Sequence, residues 1–217
     1  MKRIAIVWND IFHYRETYMD MAARLFGKED EVFCTEHIRD VILREPQPDL
    51  VVNFTMGCGK PDDHEPLSIA EQETLYAAVE KGMGCIYVHA GLAWNEADSP
   101  VGRLAGGRFA SHPRPNVTVA CLPIPGLHHP IMEGVAPFSA RDEHYFCTVD
   151  LARVTPFLAT VSIAGTEIGG WSQEIGKGRA VSLTPGHTPQ MVEAMFPLMQ
   201  NAVRWCLKEQ MGKPVQG

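Results

Sequence analysis

The sequence predicts a three-layer α/β fold, a mostly parallel sheet with helices on both of its faces. The first indication is a set of short, continuously apolar runs, which suit strands buried on both sides. Such runs lie within the segments 2–8, 49–54 and 85–88. The second indication is that helical patterns separate the runs, at residues 14–26 and 68–81. Strand, helix and strand in this order favour right-handed crossovers and therefore parallel pairing.

Local signals place the first helices. Apolar residues recur at helical spacing between residues 18 and 25, and Gly27 ends that helix. A short strand is expected next, at residues 32–34. Ser68 and Glu71 have the spacing of a capping box, so the second helix begins there.

The second half of the chain changes in character. Six of the 16 prolines fall in residues 113–137. Proline fixes φ and removes a hydrogen-bond donor, so this segment is predicted to form loops and edge strands such as 117–122. Further strands are expected at residues 157–161, 168–171 and 180–184. An apolar stripe over residues 192–207 predicts one helix, with Thr188 as N-cap and Pro189 at its first position.

Composition excludes several classes of protein. Lys and Arg number 19 against 26 Asp and Glu, a net charge of −7, and nucleic-acid binding needs the opposite balance. No apolar run approaches the roughly 18 residues of a membrane span, so we expect no membrane partner. The first residues lack the long apolar region of a signal peptide. The length of 217 residues suits a single domain over 1–217.

The six cysteines lie far apart, and none forms a CxxC pair. This spacing excludes a zinc ribbon and a thioredoxin-type site. Apolar neighbours, as around Cys85 and Cys206, indicate reduced thiols in the core. A location in the reducing cytoplasm follows as the expectation.

Histidines follow three of the predicted strands. His13 comes after the first strand, His89 directly after residues 85–88, and His187 after residues 180–184. Ligands of open parallel sheets bind beyond the carboxyl ends of the strands, which share one edge. We therefore expect the three imidazoles to gather there, where they could carry protons or bind a metal.

Six motifs in the same order resemble the ThuA-like (trehalose utilisation) family. They are GMGCIYVHAG (82–91), LAGGRFASH (104–112), HHPIMEG (128–134), DEHYF (142–146), GKGRAVSLTPGH (176–187) and NAVRW (201–205). The resemblance extends from Gly82 to the C-terminus. It implies a class I glutamine amidotransferase-like, flavodoxin-like fold and a link to carbohydrate metabolism.

The residues argue against amidotransferase chemistry. That activity needs a cysteine on a sharp strand-to-helix turn, activated by a histidine. The strand ending at Val88 is followed instead by His89 and Ala90. Cys58, between two glycines, is the only imitation, and a polar loop follows it. His187 resembles the amidotransferase histidine in position, but Pro189 stands where the glutamate would be.

Two mechanisms fit the remaining polar residues. In one, imidazoles and a carboxylate hold a divalent metal, with His89, His144 and His187 as the expected histidine ligands and zinc or manganese favoured by the ligand types. In the other, His187 and Glu143 exchange protons with a polyol or keto-sugar without a metal. Asp142 and Glu143 are consecutive, so on a strand they point to opposite faces. We favour Glu143 as the acid/base and Asp142 as an orienting group. The expected catalytic residues are His89, His187, Glu143 and Asp142.

Other residues near the same rim are candidates for substrate binding. They are His13, Trp94, Asn95, His112 and Gly107. Each also has a structural interpretation, since Gly106 and Gly107 suit a tight turn and His112 precedes a proline. The expected partner is a small carbohydrate, with no nucleotide cofactor.

The leading hypothesis is a carbohydrate-processing enzyme of the isomerase or hydrolase type, without glutaminase activity. One alternative is a non-catalytic sugar-binding or regulatory protein on an amidotransferase-like scaffold, because fold alone does not decide function. A metal-dependent hydrolase of other substrates is a third possibility. The amphipathic last helix is compatible with a homodimer surface and equally with core packing.

Overall fold

The computed structural model describes residues 1–9, 12–55, 66–93 and 95–210. The strands are β1 (Arg3–Val7), β2 (Glu31–Thr35), β3 (Leu50–Asn53), β4 (Gly84–Val88), β5 (Gly107–Ser111), β6 (Val117–Pro123), β7 (Phe138–Asp142), β8 (Phe146–Val149), β9 (Thr155–Ser162), β10 (Gly165–Ile175) and β11 (Gly178–Leu183). The helices are α1 (Arg15–Leu25), α2 (Ile38–Leu43), α3 (Ile69–Lys81), α4 (Pro100–Ala105), α5 (Pro189–Ala194) and α6 (Phe196–Cys206).

Nine strands form one sheet in the order β2-β1-β3-β4-β11-β10-β9-β6-β7. The pairings from β2 to β11 are parallel, and those from β11 to β7 are antiparallel. Strands β5 and β8 pair separately as a two-stranded sheet. The predicted α/β class is therefore confirmed. One half of the sheet is parallel and includes β1, β4 and β11, the strands that the three histidines follow, and the other half is antiparallel.

The two faces of the sheet have separate apolar cores. Helices α1, α5 and α6 pack on one face, and α2, α3 and α4 pack on the other. The sequence of β4 is apolar throughout because its side chains enter both cores. Ile86 and Val88 point into the first core, and Cys85 and Tyr87 point into the second. All four are fully buried. A strand covered on both sides needs no polar alternation.

The capping box predicted for α3 is present. The Ser68 hydroxyl accepts the backbone N–H of Glu71, and the Glu71 carboxylate accepts the backbone N–H of Ser68. Gly82 ends the helix at a φ of +135°, a conformation that favours glycine. The predicted N-cap Thr188 is also present, and it accepts the N–H of Met191.

The single C-terminal helix expected over residues 192–207 is in fact two helices. Helix α5 ends at Ala194 and α6 begins at Phe196, with Met195 between them. Pro197 explains the break, because it has no N–H to donate to the carbonyl of Glu193 and its ring crowds that carbonyl. The apolar stripe continues across the break, which is why the periodicity does not show it.

Strand β6, predicted to lie at an edge, lies inside the sheet between β9 and β7. Prolines 115 and 123 fall before it and at its last residue, so they leave its internal hydrogen bonds intact. Five short elements have no counterpart among the sequence predictions: α2, α4, β5, β7 and β8. Each has four to six residues, too few for a periodic pattern to emerge.

The structure bears on two expectations from composition, the reduced cysteines and the lack of a membrane span. The five cysteines within the described residues are all free thiols. Burial raises the pKa of the Cys85 thiol to about 12, so it stays protonated at neutral pH. The sixth, Cys58, lies outside the described residues. Among the described helices, none has the length and apolar character that crossing a membrane requires.

Candidate functional site

Three loops that follow parallel strands bring their histidines together at one edge of the sheet. His13 follows β1, His89 follows β4 and His187 follows β11. The ring centroid of His13 lies 5.0 Å from that of His89 and 4.7 Å from that of His187. The rings of His89 and His187 are 5.5 Å apart. The structure thus gathers the three imidazoles, as the strand order predicts.

A carboxylate from the antiparallel half of the molecule completes the cluster. Glu143 directly follows β7, and its Oε2 lies 3.4 Å from Nε2 of His89 and 3.4 Å from Nδ1 of His187. Its Oε1 lies 3.7 Å from Nε2 of His112. Burial alone would raise the pKa of Glu143, but the imidazoles of His89, His187 and His112 around the carboxylate outweigh burial and lower that pKa to about 2. Glu143 is therefore ionised at neutral pH.

His89 is fully buried in a strained turn at the end of β4. Its φ is +47°, in the left-handed region that few side chains other than Asn and Asp adopt readily. Its Nδ1 lies 2.7 Å from the carbonyl oxygen of Thr184, and a carbonyl only accepts, so Nδ1 carries the proton. Burial, aided by His13, lowers the pKa of His89 to about 4. An uncharged His89 therefore presents the lone pair of Nε2 to the site.

This turn is the place where an amidotransferase of this fold would carry its cysteine nucleophile. The positive φ of His89 supplies the sharp turn, but the side chain there is an imidazole. Cys85 lies near the beginning of β4, away from this turn, and its side chain points into the core that contains α3. The described residues thus offer no thiol at this turn.

Asp142 fixes the loop that carries His187. Its Oδ2 accepts the backbone N–H of Gly186, and its Oδ1 accepts that of Thr188, both at 2.9 Å. Burial raises the pKa of Asp142 to about 7, although these backbone hydrogen bonds act in the opposite direction. Asp142 therefore contacts the loop backbone, while its neighbour Glu143 faces the histidines, as their consecutive positions predict.

The remaining rim candidates have different surroundings. His112 lies beside Glu143 and is bonded through Nδ1 to the backbone oxygen of Pro113, 3.1 Å away. Asn95 is buried and donates to the carbonyl of Gly91, 3.0 Å away, so it supports the turn after β4. Trp94 lies outside the described residues.

Gly107 packs closely against the ring of Trp171. A Cβ at this position would lie 2.6 Å from Cζ2 of Trp171, which shows how closely the backbone approaches that ring. Trp171 is itself buried and donates its Nε1–H to the carbonyl of Ala105. The structure shows this close packing on Trp171, and the role of Gly107 in substrate binding stays a prediction.

His144 also needs correction, because it lies apart from the other histidines. Its Nδ1 lies 2.7 Å from the hydroxyl of Ser162 and its Nε2 lies 3.1 Å from that of Thr160. Both ring nitrogens are thus engaged by β9. Within the described part of the chain, the set that could hold a metal consists of His13, His89, Glu143 and His187, whose ligand atoms all lie within 4.8 Å of one another. Compared with the expected histidine ligands, this set includes His13 and Glu143 and does not include His144.

The donor chemistry of this set fits a divalent metal. The lone pair of uncharged His89 faces the ionised Glu143 carboxylate at 3.4 Å, and two acceptors repel unless a proton or cation lies between them. Zinc bonds of about 2.0 Å in tetrahedral geometry place ligand atoms roughly 3.3 Å apart, close to the 3.4 Å that separates Glu143 from His89 and from His187. Imidazole and carboxylate ligands suit zinc or manganese.

We expect replacement of His144 by asparagine to leave metal affinity unchanged, because its nitrogens contact only Ser162 and Thr160. The variant should lose about 1–3 kcal/mol of unfolding free energy, since buried hydroxyls lose a partner. His187→Asn, the matched change inside the cluster, should weaken binding by about 10-fold or more. Metal titration with calorimetry, alongside denaturant unfolding, tests both. Equal loss of affinity in the two variants would contradict this assignment.

Two tyrosines near the cluster are absent from the sequence predictions. Tyr145 stacks on His89, with ring centroids 3.8 Å apart and planes at 29°. Tyr18 of α1 donates its hydroxyl to the carbonyl of Gly186. Tyr145 lies in the DEHYF motif beside Glu143, so it could have been a candidate by adjacency. The helical spacing of Tyr18 indicates a core position and carries no signal for the hydroxyl contact.

Comparisons with known proteins identify the family. The family model described as "ThuA: Trehalose utilisation" matches residues 17–206. A search of curated proteins finds no match. Among solved structures, a ThuA-like protein from Parabacteroides merdae is 14% identical, with a TM-score of 0.75 over 99% of this chain and 93% of that one. A ThuA-like protein from Bacteroides uniformis is 18% identical, with a TM-score of 0.70 over 98% and 94% of the two chains.

A more distant structural match is a β-galactosidase from Rahnella sp. R3. It is 14% identical, with a TM-score of 0.64 over 94% of this chain and 31% of that one. At these identities the structural matches show a shared fold only, whereas the family model covers most of the chain. The protein therefore belongs to the ThuA trehalose-utilisation family.

Proposed function

We propose that this protein is a carbohydrate-processing enzyme that acts on a sugar or keto-sugar by proton transfer at the His13, His89, Glu143 and His187 cluster, with a divalent metal. The observation that carries the proposal is the convergence of three imidazoles on one ionised carboxylate at the carboxyl edge of the parallel strands. The carbohydrate substrate rests on the trehalose context of the family.

Glu143 serves as a negatively charged anchor more readily than as a proton carrier. A general base works best when its pKa lies near the operating pH, and the histidines lower that of Glu143 to about 2. Its charge orients the imidazoles of His89, His112 and His187 around one point. This weighs against our sequence-based preference for Glu143 as the acid/base.

His187 is the better placed proton carrier, through its Nε2, because its Nδ1 is the ring nitrogen that faces Glu143 in the metal set. Its side chain is 18% exposed, so it lies between the buried cluster and solvent, where a sugar hydroxyl or carbonyl would enter. Asp142 holds the backbone on both sides of it. When bound, a divalent metal supplies Lewis acidity that polarises a carbonyl or aligns neighbouring hydroxyls.

Metal removal provides the direct test. Protein stripped with a chelator and reloaded with zinc or manganese is assayed on disaccharides, monosaccharides and keto-sugars, with thermal shift in parallel. We expect stripping to lower turnover at least about 100-fold and reloading to restore it, since a Lewis acid contributes several kcal/mol to catalysis.

The other outcomes distinguish the alternatives. Sugar binding without turnover in any metal state would favour a regulatory binding protein on this scaffold. Metal-dependent turnover of non-sugar esters or amides alone would favour a different hydrolase. Neither binding nor turnover across the panel would refute the proposed function.

A further inference from the structure

The N–H and the C=O of Gly186 are each hydrogen-bonded to a side chain distant in sequence. Tyr18 donates its hydroxyl to the Gly186 carbonyl at 2.5 Å, and Asp142 accepts the Gly186 N–H at 2.9 Å. Gly186 has a φ of +139°, a conformation that other residues rarely adopt. The direction of this backbone is therefore set by two specific contacts immediately before His187.

Tyr18 is itself rigidly placed. Its ring is 1% exposed and stacks on Phe54, with centroids 4.5 Å apart and planes at 21°. Its ring centroid lies 6.4 Å from that of His13, which lies two residues before the start of α1. Helix α1 thus connects the loop of His13, the end of β3 and the loop of His187 through one side chain.

We propose that Tyr18 is a positioning residue, which holds His187 within reach of Glu143 and His13 through the carbonyl of Gly186. The placement of His187 is inferred from the two hydrogen bonds to Gly186. The expected effect on metal binding and turnover rests on the proposed function. The orientation of the peptide between Gly186 and His187 determines where the Cα and the side chain of His187 lie. Without the hydroxyl, one of the two restraints on the backbone of Gly186 is absent, and the 3.4 Å approach of His187 to Glu143 becomes one of several arrangements.

The test is Tyr18→Phe, which deletes the hydroxyl and keeps the ring stacked on Phe54. Tyr87→Phe is the matched control, because Tyr87 is also fully buried but packs in the core on the opposite face of the sheet. Amide exchange at Gly186 and Thr188 and the ring nitrogen shifts of His187 are measured by NMR without metal or substrate. Manganese affinity and the separate values of kcat and KM are measured afterwards.

We expect Tyr18→Phe to speed exchange at Gly186 and Thr188 by about 10-fold, the effect of one lost hydrogen bond, and to shift the His187 ring signals. Manganese affinity and kcat should each fall by a similar factor, with a smaller change in KM. Tyr87→Phe should lower the melting temperature while leaving these amides and the ring of His187 as in the wild type.

Two results would overturn the positioning role. One is wild-type exchange and ring shifts at residues 186–188 in Tyr18→Phe. The other is an equal disturbance in Tyr87→Phe, which would show a general loss of stability. If the wild-type protein binds no metal and converts no sugar, the proposed function fails, but the NMR comparison still decides whether Tyr18 positions His187.

Discussion

Glu143→Gln is expected to lower turnover at least about 100-fold, the size of effect seen when one preorganised electrostatic group is removed from a catalytic site. Glutamine keeps the shape of the side chain but removes the charge that faces His89, His112 and His187. Metal affinity should fall with it, because one anionic ligand becomes a neutral amide. Steady-state kinetics and manganese titration measure the two effects.

Stability needs a separate control in this variant. The lowered pKa of Glu143 means that its charge stabilises the folded state, so the variant should melt at a lower temperature. Turnover is therefore compared well below the melting temperatures. Glu174→Gln, which removes an exposed carboxylate paired with Arg179, should retain full turnover. Near-normal kcat and metal affinity in Glu143→Gln would disprove the central role of this carboxylate.

His89→Asn is expected to remove a large part of the acid sensitivity of the fold. An unfolded chain protonates this histidine near pH 6.5, whereas burial delays protonation in the folded state until about pH 4. Between these values the unfolded state binds more protons, so the contribution of His89 to stability is present above pH 6.5 and is lost as the pH falls to 4. The gap corresponds to about 3 kcal/mol.

Asparagine is the suitable replacement because it tolerates the positive φ of residue 89. Unfolding free energies of wild type and variant are measured by denaturant in the presence of a chelator, at steps from pH 7 to pH 4. The wild-type value minus the variant value should fall by about 3 kcal/mol over this range. The raised pKa of Asp142 acts in the opposite direction, but it is common to both proteins and cancels in the difference. Parallel pH profiles would contradict a buried, uncharged His89.

Those parts of the fold that depend on local chemistry were predictable. The apolar runs of β1, β3 and β4 indicate strands buried on both faces, and the capping box at Ser68 begins α3 where the spacing predicts. The break at Met195 was not recognised, because the same face stays apolar in α5 and α6. Short elements such as β7 depend on pairing with distant strands, so their own residues carry little signal.

The gathering of His13, His89 and His187 follows from the sequence, because parallel strands end at one edge and each histidine follows such an end. The choice of Glu143 over His144 does not, although the two are consecutive. Their side chains leave the end of β7 in different directions, one toward the histidines and the other toward the hydroxyls of Thr160 and Ser162. The sequence alone predicts neither of these side-chain directions.

The sequence by itself determined the α/β class, the family and the three strand-end histidines. Only the tertiary structure decided that Glu143 joins them, that His144 contacts Ser162 and Thr160 instead, and that Tyr18 contacts a loop 168 residues away. The physical reason is the distance along the chain between the residues that interact. Strands, caps and helices arise from interactions among neighbours in the chain, whereas side-chain contacts at the site join loops whose relative placement exists only once the sheet and its two cores have packed.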